Sequence, residues 1–205
     1  MRYRALIGAL ALAVTGSAFA ITPAQAARGE TSLVEVLAAD GTKFDSNWND
    51  FDIVERAALT VLAAKPDSAV GVLAQGDVKL TAFVPTDRAF RRLVHDLTGK
   101  WVASERKAFK IVASLGVDTV EAVLLYHVVP GAVITYKMAL GSSGAVLTTA
   151  GGGTVTVKVR HGHVWLKDAD PNDLNPRVKR NLKDINKGNK QIAHGINRVL
   201  RPADL

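Results

Sequence analysis

Five histidines are the first residues whose types and spacing bear on chemistry: His95, His127, His161, His163 and His194. His161 and His163 stand two apart, which on a strand turns both rings to one face, where a third ligand would complete a zinc or copper site. Gly162 between them reads as a turn that splays the pair, and no carboxylate or third histidine stands at a signature spacing. Asp168, Asp170, Asn172 and Asp173 crowd oxygen ligands into six residues, as a calcium loop does. The loop glycine is missing, however, Pro171 interrupts, and Lys179 occupies the place of the bidentate glutamate. The segment reads as a turn leaving a strand. Gly141-Ser142-Ser143-Gly144 has the wrong spacing for a nucleophile elbow, and Gly151-Gly152-Gly153 is followed by no lysine and helix that would make a phosphate loop. Cysteine is absent, which removes disulfides, thiolate ligands and thiol nucleophiles together. The expectation is a protein with no catalytic residue, no metal and no cofactor.

Charge offers a different chemistry. Lys and Arg outnumber Asp and Glu by 26 to 19, and the surplus is local. Arg177, Lys179, Arg180, Lys183, Lys187, Lys190, Arg198 and Arg201 fall in one stretch opposed only by Asp184. Such a stripe attracts polyanions through screened contacts, or serves only as a solvated face. No aromatic residue follows Trp165 to stack bases, so acidic glycans or anionic envelope polymers fit better than nucleic acid. Arg177, Lys179, Arg180, Lys183, Lys187 and Lys190 are the candidate partner-binding residues.

The elements that position these residues begin after an address label. Arg2 and Arg4, the apolar run Ala5–Ala20 and the small residues of Ala24-Gln25-Ala26 read as a signal peptide over 1–26, cleaved after Ala26. The run is shorter than a membrane span, and nothing later in the chain is apolar enough to be one. The protein is therefore expected outside the cytoplasm, secreted or extracellular.

In the first half helix signals crowd together. Ser32-Leu33-Val34-Glu35 reads as a capping box. Asn49 or Asp50 caps a second helix with Phe51, Val54, Ala58, Val61 and Leu62 on one face, ended by Lys65-Pro66. Leu80–Val84 reads as a strand, and Thr86 caps a helix that Gly99 stops. Ser104-Glu105 and the second capping box Asp118-Thr119-Val120-Glu121 open two more. The period then changes. Ala132–Tyr136, Val146–Thr149, Thr154–Arg160, His163–Lys167 and Gln191–Leu200 read as strands, with Gly151–Gly153 and His161-Gly162 as hairpin turns. Helices first and antiparallel strands later predict an α+β domain.

Three stretches in this order resemble the fasciclin-1 (FAS1, βig-h3) family. Thr81-Ala82-Phe83-Val84-Pro85-Thr86-Asp87-Arg88-Ala89-Phe90 looks like its first signature, Leu124-Leu125-Tyr126-His127-Val128-Val129-Pro130-Gly131 like its Tyr-His segment, and Ile192 to Pro202 like its closing signature. The resemblance covers about 49–205. It implies a FAS1-like wedge-shaped β-sandwich with a helical bundle along one edge, preceded by an extension with a short helix over 27–48. Its motif residues (Thr81, Phe83, Pro85, Thr86, Phe90, Tyr126, His127, Pro130, His194, Ile196, Val199, Leu200 and Pro202) carry structural roles under that reading.

There are departures. Asn197 stands where the family often has Asp, which removes an ion pair with Arg198. Gly195 replaces a β-branched residue and weakens the last strand. Of the family's integrin-linked Asn-Lys-Asp-Ile-Leu, only Lys183-Asp184-Ile185 survives, which argues against integrin recognition.

The resemblance implies a secreted, non-catalytic adhesion module that binds a cell-surface or envelope glycan, anionic polymer or protein. Two alternatives stay open. A carrier of a small apolar ligand requires a groove between helices and sheet, gated by the Trp101 segment. A metal-dependent secreted enzyme requires a cleft where His161, His163 and Asp168 converge.

Overall fold

A computed structural model describes residues 29–41 and 43–204. The signal segment expected at 1–26 lies outside the described residues.

Among the described residues six α-helices and six strands alternate irregularly: α1 Leu33–Leu37, α2 Asp52–Ala64, β1 Leu80–Pro85, α3 Asp87–Thr98, α4 Glu105–Ala113, α5 Val117–Tyr126, β2 Val128–Pro130, α6 Tyr136–Leu140, β3 Val146–Thr148, β4 Thr154–Arg160, β5 His163–Lys167 and β6 Gln191–Ile196. The strands form two small sheets, ordered β2-β1-β6 and β3-β4-β5. Within the first, β1 and β6 run parallel, with Leu80 opposite Gln191 and Pro85 opposite Ile196. The purely antiparallel pattern expected from the chain order is therefore corrected. The second sheet is antiparallel throughout.

Every residue of β1 and β6 is buried, because each strand is covered on both faces. On one side Leu80, Ala82, Val84 and Ala193 pack with Leu33 of α1 and Phe51. On the other, Phe83 and Ile196 join Val155, Val157, Val164 and Leu166 of the second sheet, so the sheets share one apolar cluster. A separate helical cluster gathers Ile53, Val61, Phe90, Leu93, Val112 and Leu124 from α2 to α5. The period-two burial of β4 and β5 leaves their other face to polar side chains.

Local signals account for many boundaries. Ser32 Oγ accepts the Glu35 amide and the Glu35 carboxylate accepts the Ser32 amide, a complete capping box. Thr86 precedes α3, and Gly99 ends it in the left-handed conformation at φ +68°. Ser104 caps α4 through the Lys107 amide. His161 (φ +50°) and Gly162 (φ +69°) turn β4 into β5.

Four boundaries depart from expectation. Neither Asn49 nor Asp50 caps α2; Asp87 Oδ1 accepts the Ile53 amide at 2.9 Å instead. Helix α5 starts at Val117 after Gly116 with no side-chain cap, so Asp118 falls inside its first turn, and Glu121 binds Lys65 and Ser68. The strand expected at Ala132–Tyr136 is an irregular segment leading into α6, where Thr135 Oγ1 accepts the Met138 amide. The last strand stops at Ile196 rather than Leu200.

Candidate functional site

The outer face of the second sheet carries a basic hollow of about 490 Å³. Strand pairing builds it. Lys158 lies opposite Trp165, Thr156 opposite Lys167 and Arg160 opposite His163, all on the face turned from the core. Arg92 and Arg198 close the hollow from the side of α3 and the C-terminal segment, with Leu174, Asn175 and Asn197 completing its rim. Lys158, Arg160 and Lys167 form no ion pair among the described residues. Burial, then the like charges of Arg198 and Arg88, lower the pKa of Arg92. Lys179 is lowered for the same kind of reason, by burial first and then by Arg88 and Arg92. An anion brought to Arg92 relieves the like charges that Arg198 and Arg88 set beside it.

The expected stripe is not one surface. Arg180, Lys183 and Lys187 line a second open hollow of about 460 Å³ beside Tyr136 and Lys137, with Lys183 Nζ 5.0 Å from the Tyr136 ring centre. Arg177 stacks over Trp165 at 5.6 Å, next to the main hollow. Lys179 reaches Asn49 Oδ1, and Lys190 is paired with Glu30 at 2.8 Å. Reading by position missed Arg92, Lys158, Arg160 and Lys167. The signal for Lys158 and Arg160 was present in the alternation of Val155-Thr156-Val157-Lys158-Val159-Arg160, whose polar set ends on two bases.

The motif residues sit mainly inside. Thr81, Phe83, Pro85, Thr86, Phe90, Tyr126, His127, His194, Ile196, Val199 and Leu200 are buried, Pro202 is half-buried and Pro130 exposed. Thr81 Oγ1 donates to the Ala132 carbonyl and accepts the Ile134 amide, and Tyr126 donates to the Thr154 carbonyl. His194 Nδ1 accepts the Asp184 amide at 3.1 Å, so Nε2 carries the proton given to the Ile134 carbonyl at 2.7 Å. Asp184 holds the left-handed conformation at φ +54° and accepts the Tyr136 amide, while Ile185 bridges to Ala193. The surviving Lys-Asp-Ile triplet thus ties α6 to β6.

Two of the departures read from the sequence are explained differently by the structure. Arg198 is not left without an acid: it pairs with Asp173 at 2.8 Å and Asp96 at 3.2 Å, while Asn197 Oδ1 accepts the Arg177 amide. Gly195 is required rather than weakening, because a Cβ there would lie 2.6 Å from Leu182 Cβ.

The residues of the two alternatives are not assembled as those readings require. His163 opens β5 and Asp168 follows its other end, roughly 16 Å of strand away at about 3.3 Å per residue. Asp168 instead accepts the Arg201 amide, and Asp170 pairs with the Arg201 guanidinium at 3.1 Å. Burial pushes Asp168 up to about 6. An apolar hollow among α2, α4 and α5 holds about 80 Å³, against roughly 300 Å³ for the smallest ordinary ligand pocket, and no sheet residue lines it. Trp101 stacks on His95 at 4.1 Å, 59% exposed, beside Arg91 rather than over a groove.

One cluster was invisible in the sequence. Carboxylate oxygens of Asp50, Asp87 and Glu105 lie within 4.8 Å of one another where the 45–52 loop meets the starts of α3 and α4. Burial, then contact with Asp50, holds Asp87 well above the usual carboxylate range. Burial, then the charge of Asp50, pushes Glu105 up to about 7.

Residues 58–202 match the family model described as the fasciclin domain. Sixteen chains of solved structures match as well. Among them is the FAS1 domain pair from the insect cell adhesion molecule fasciclin I, with a TM-score of 0.52 and 18% identity over 74% of this chain and 47% of that one. This chain therefore spans about half the length of that solved chain, and the likeness at this identity concerns the fold. No curated protein matches.

Proposed function

The chain belongs to the fasciclin domain family, and on that premise we propose that it is a non-catalytic adhesion module that holds an acidic polymer of the cell surface or envelope against its basic sheet face. Under this reading the domain runs over 49–205, with 27–48 as its extension and the signal segment directing it outside. The two small sheets are the halves of the family's wedge-shaped sandwich, and α2 to α5 are the bundle along its edge. The solved relative is itself described as a cell adhesion molecule.

The observation that carries the proposal is the unpaired cationic row Lys158, Arg160 and Lys167 on a rigid sheet, flanked by Trp165. A carboxylated or sulfated glycan supplies both the charges and an apolar ring face for such a surface. Arg180, Lys183 and Lys187 extend it as a second, weaker contact. Exposed charge pairs contribute little each, so the polymer is held by many contacts and released by salt.

Binding of the purified chain to an immobilised polyuronate or sulfated glycan, against a neutral polysaccharide, at low and high ionic strength tests this. Binding that is selective for the acidic polymer and falls steeply with salt supports the proposal. Equal retention on the neutral polymer, or retention indifferent to salt, overturns it.

A further inference from the structure

Adhesion leaves the acidic cluster beneath the 45–52 loop without a role. Its geometry follows from the fold. Asp87 and Glu105 are the first residues of α3 and α4. The Asp87 amide donates to the Asp50 carbonyl and the Arg88 amide to the Trp48 carbonyl, which brings the loop onto the helix start. Asp87 is 0% and Glu105 1% exposed. Asp87 spends one oxygen on the Ile53 amide. Its Oδ2, Asp50 Oδ1 and both oxygens of Glu105 have no hydrogen-bond partner among the described residues. No Lys or Arg pairs with any of the three among those residues.

Buried carboxylates are normally paired, hydrogen-bonded or bound to a metal. The two helix starts supply partial charges of roughly +0.5 each against three carboxylates, and a Glu105 carboxylate oxygen stands within 4.8 Å of those of Asp50 and Asp87. The donor set is oxygen only, which selects a hard cation over zinc or copper. Oxygens on one ion can stand no farther apart than twice the metal–oxygen distance, about 4.8 Å for calcium at its usual 2.4 Å, and these three meet that limit. Asp45, which is exposed, stands within the same reach of Asp50 and Asp52, so a carboxylate path leads from solvent to the buried pair.

We propose that Asp50, Asp87 and Glu105 form a binding site for one calcium-class divalent cation, which clamps the 45–52 loop onto the starts of α3 and α4. The ion completes the oxygens that the protein leaves without donors. It makes the junction of loop and helical bundle dependent on a cation that the space outside a cell supplies.

Titration of the full chain at neutral pH with terbium, a calcium mimic excited through tryptophan, tests the site, since Trp48 lies two residues from Asp50. The expected result is sensitised emission that saturates at one ion per chain and is displaced by calcium, with calcium alone raising Tm. Glu105→Gln keeps the shape and removes a charge; it should lose the emission and the calcium response at least tenfold in affinity while unfolding at the same or a higher temperature without metal. Asp50→Asn, at the half-buried member of the cluster, should weaken binding in the same way should the first variant fold poorly. Asp118→Asn, at the exposed carboxylate beside Lys65, should bind as the parent does. Emission that does not saturate, a Tm indifferent to calcium, or undiminished binding in either cluster variant overturns the proposal. A pair of acids sharing a proton gives that first result.

Discussion

The imidazole Nε2 of His127 accepts the amide proton of Leu200 at 2.9 Å, while its Nδ1 donates to the Val123 carbonyl at 2.7 Å. The neutral ring thereby joins the end of α5 to the C-terminal segment, one bond of each polarity. Protonation converts the accepting nitrogen into a donor aimed at another donor. His194 repeats the device between Asp184 and Ile134.

Acid should therefore loosen the fold at these two rings. Burial lowers His127 to about 4, and burial first also lowers His194. A folded-state value below the unfolded one means that the unfolded chain takes up protons the fold refuses. The histidine contribution to stability is fully present above about pH 6.5 and is lost as pH falls toward 4, by about 3 kcal/mol for His127 alone. Urea unfolding at stepped pH checks this. His127→Gln should start less stable and show a flatter decline over that window; an identical slope in the variant would mean that another group carries the effect.

The Arg201 guanidinium, 7% exposed, meets Asp96, Asp170 and Asp173, and the Asp170 carboxylate is fully buried. Arg201→Gln strands Asp170 and should cost about 3–5 kcal/mol. Denaturant midpoints measure it. A loss below about 1 kcal/mol would show that solvent reaches the carboxylate.

Gly195→Ala should destabilise by about 1–3 kcal/mol, since the new methyl meets Leu182 Cβ and the rest of its side chain. Leu182→Gly in the same chain should recover part of the loss in a double-mutant cycle. Wild-type stability in the single variant would contradict the close approach.

On the basic face, Lys158→Glu with Arg160→Glu should lower affinity for an acidic glycan by about tenfold at low salt and flatten the salt dependence. Arg180→Glu with Lys183→Glu should do so less, because those residues line the separate hollow beside Tyr136. Equal losses from the two pairs would make the surface diffuse. Glycan retention by surface plasmon resonance discriminates.

Short-range features were legible in the residues alone. The Ser32–Glu35 box, the Gly99 stop and the His161-Gly162 turn each depend on groups within a few bonds of one another, so the local residues determine them. The three family signatures likewise pointed to the domain, because each is a contiguous run of residues. The basic row of β4 was half legible: its alternation is in the sequence, but pairing with Trp165 and Lys167 depends on register.

What folding alone decided joins residues far apart. Asp87 displaced Asn49 and Asp50 as the cap of α2 because packing α3 against the loop put a carboxylate at the Ile53 amide. Glu121 left its own helix start for Lys65 and Ser68 on a neighbouring element. The basic stripe of 177–201 was divided among Glu30, Trp165, Tyr136 and the acids around Arg201. Asp50, Asp87 and Glu105 became neighbours only when three segments met. A chain specifies its turns and caps through contacts a few residues long, whereas the strength of a charge depends on which distant groups burial brings beside it.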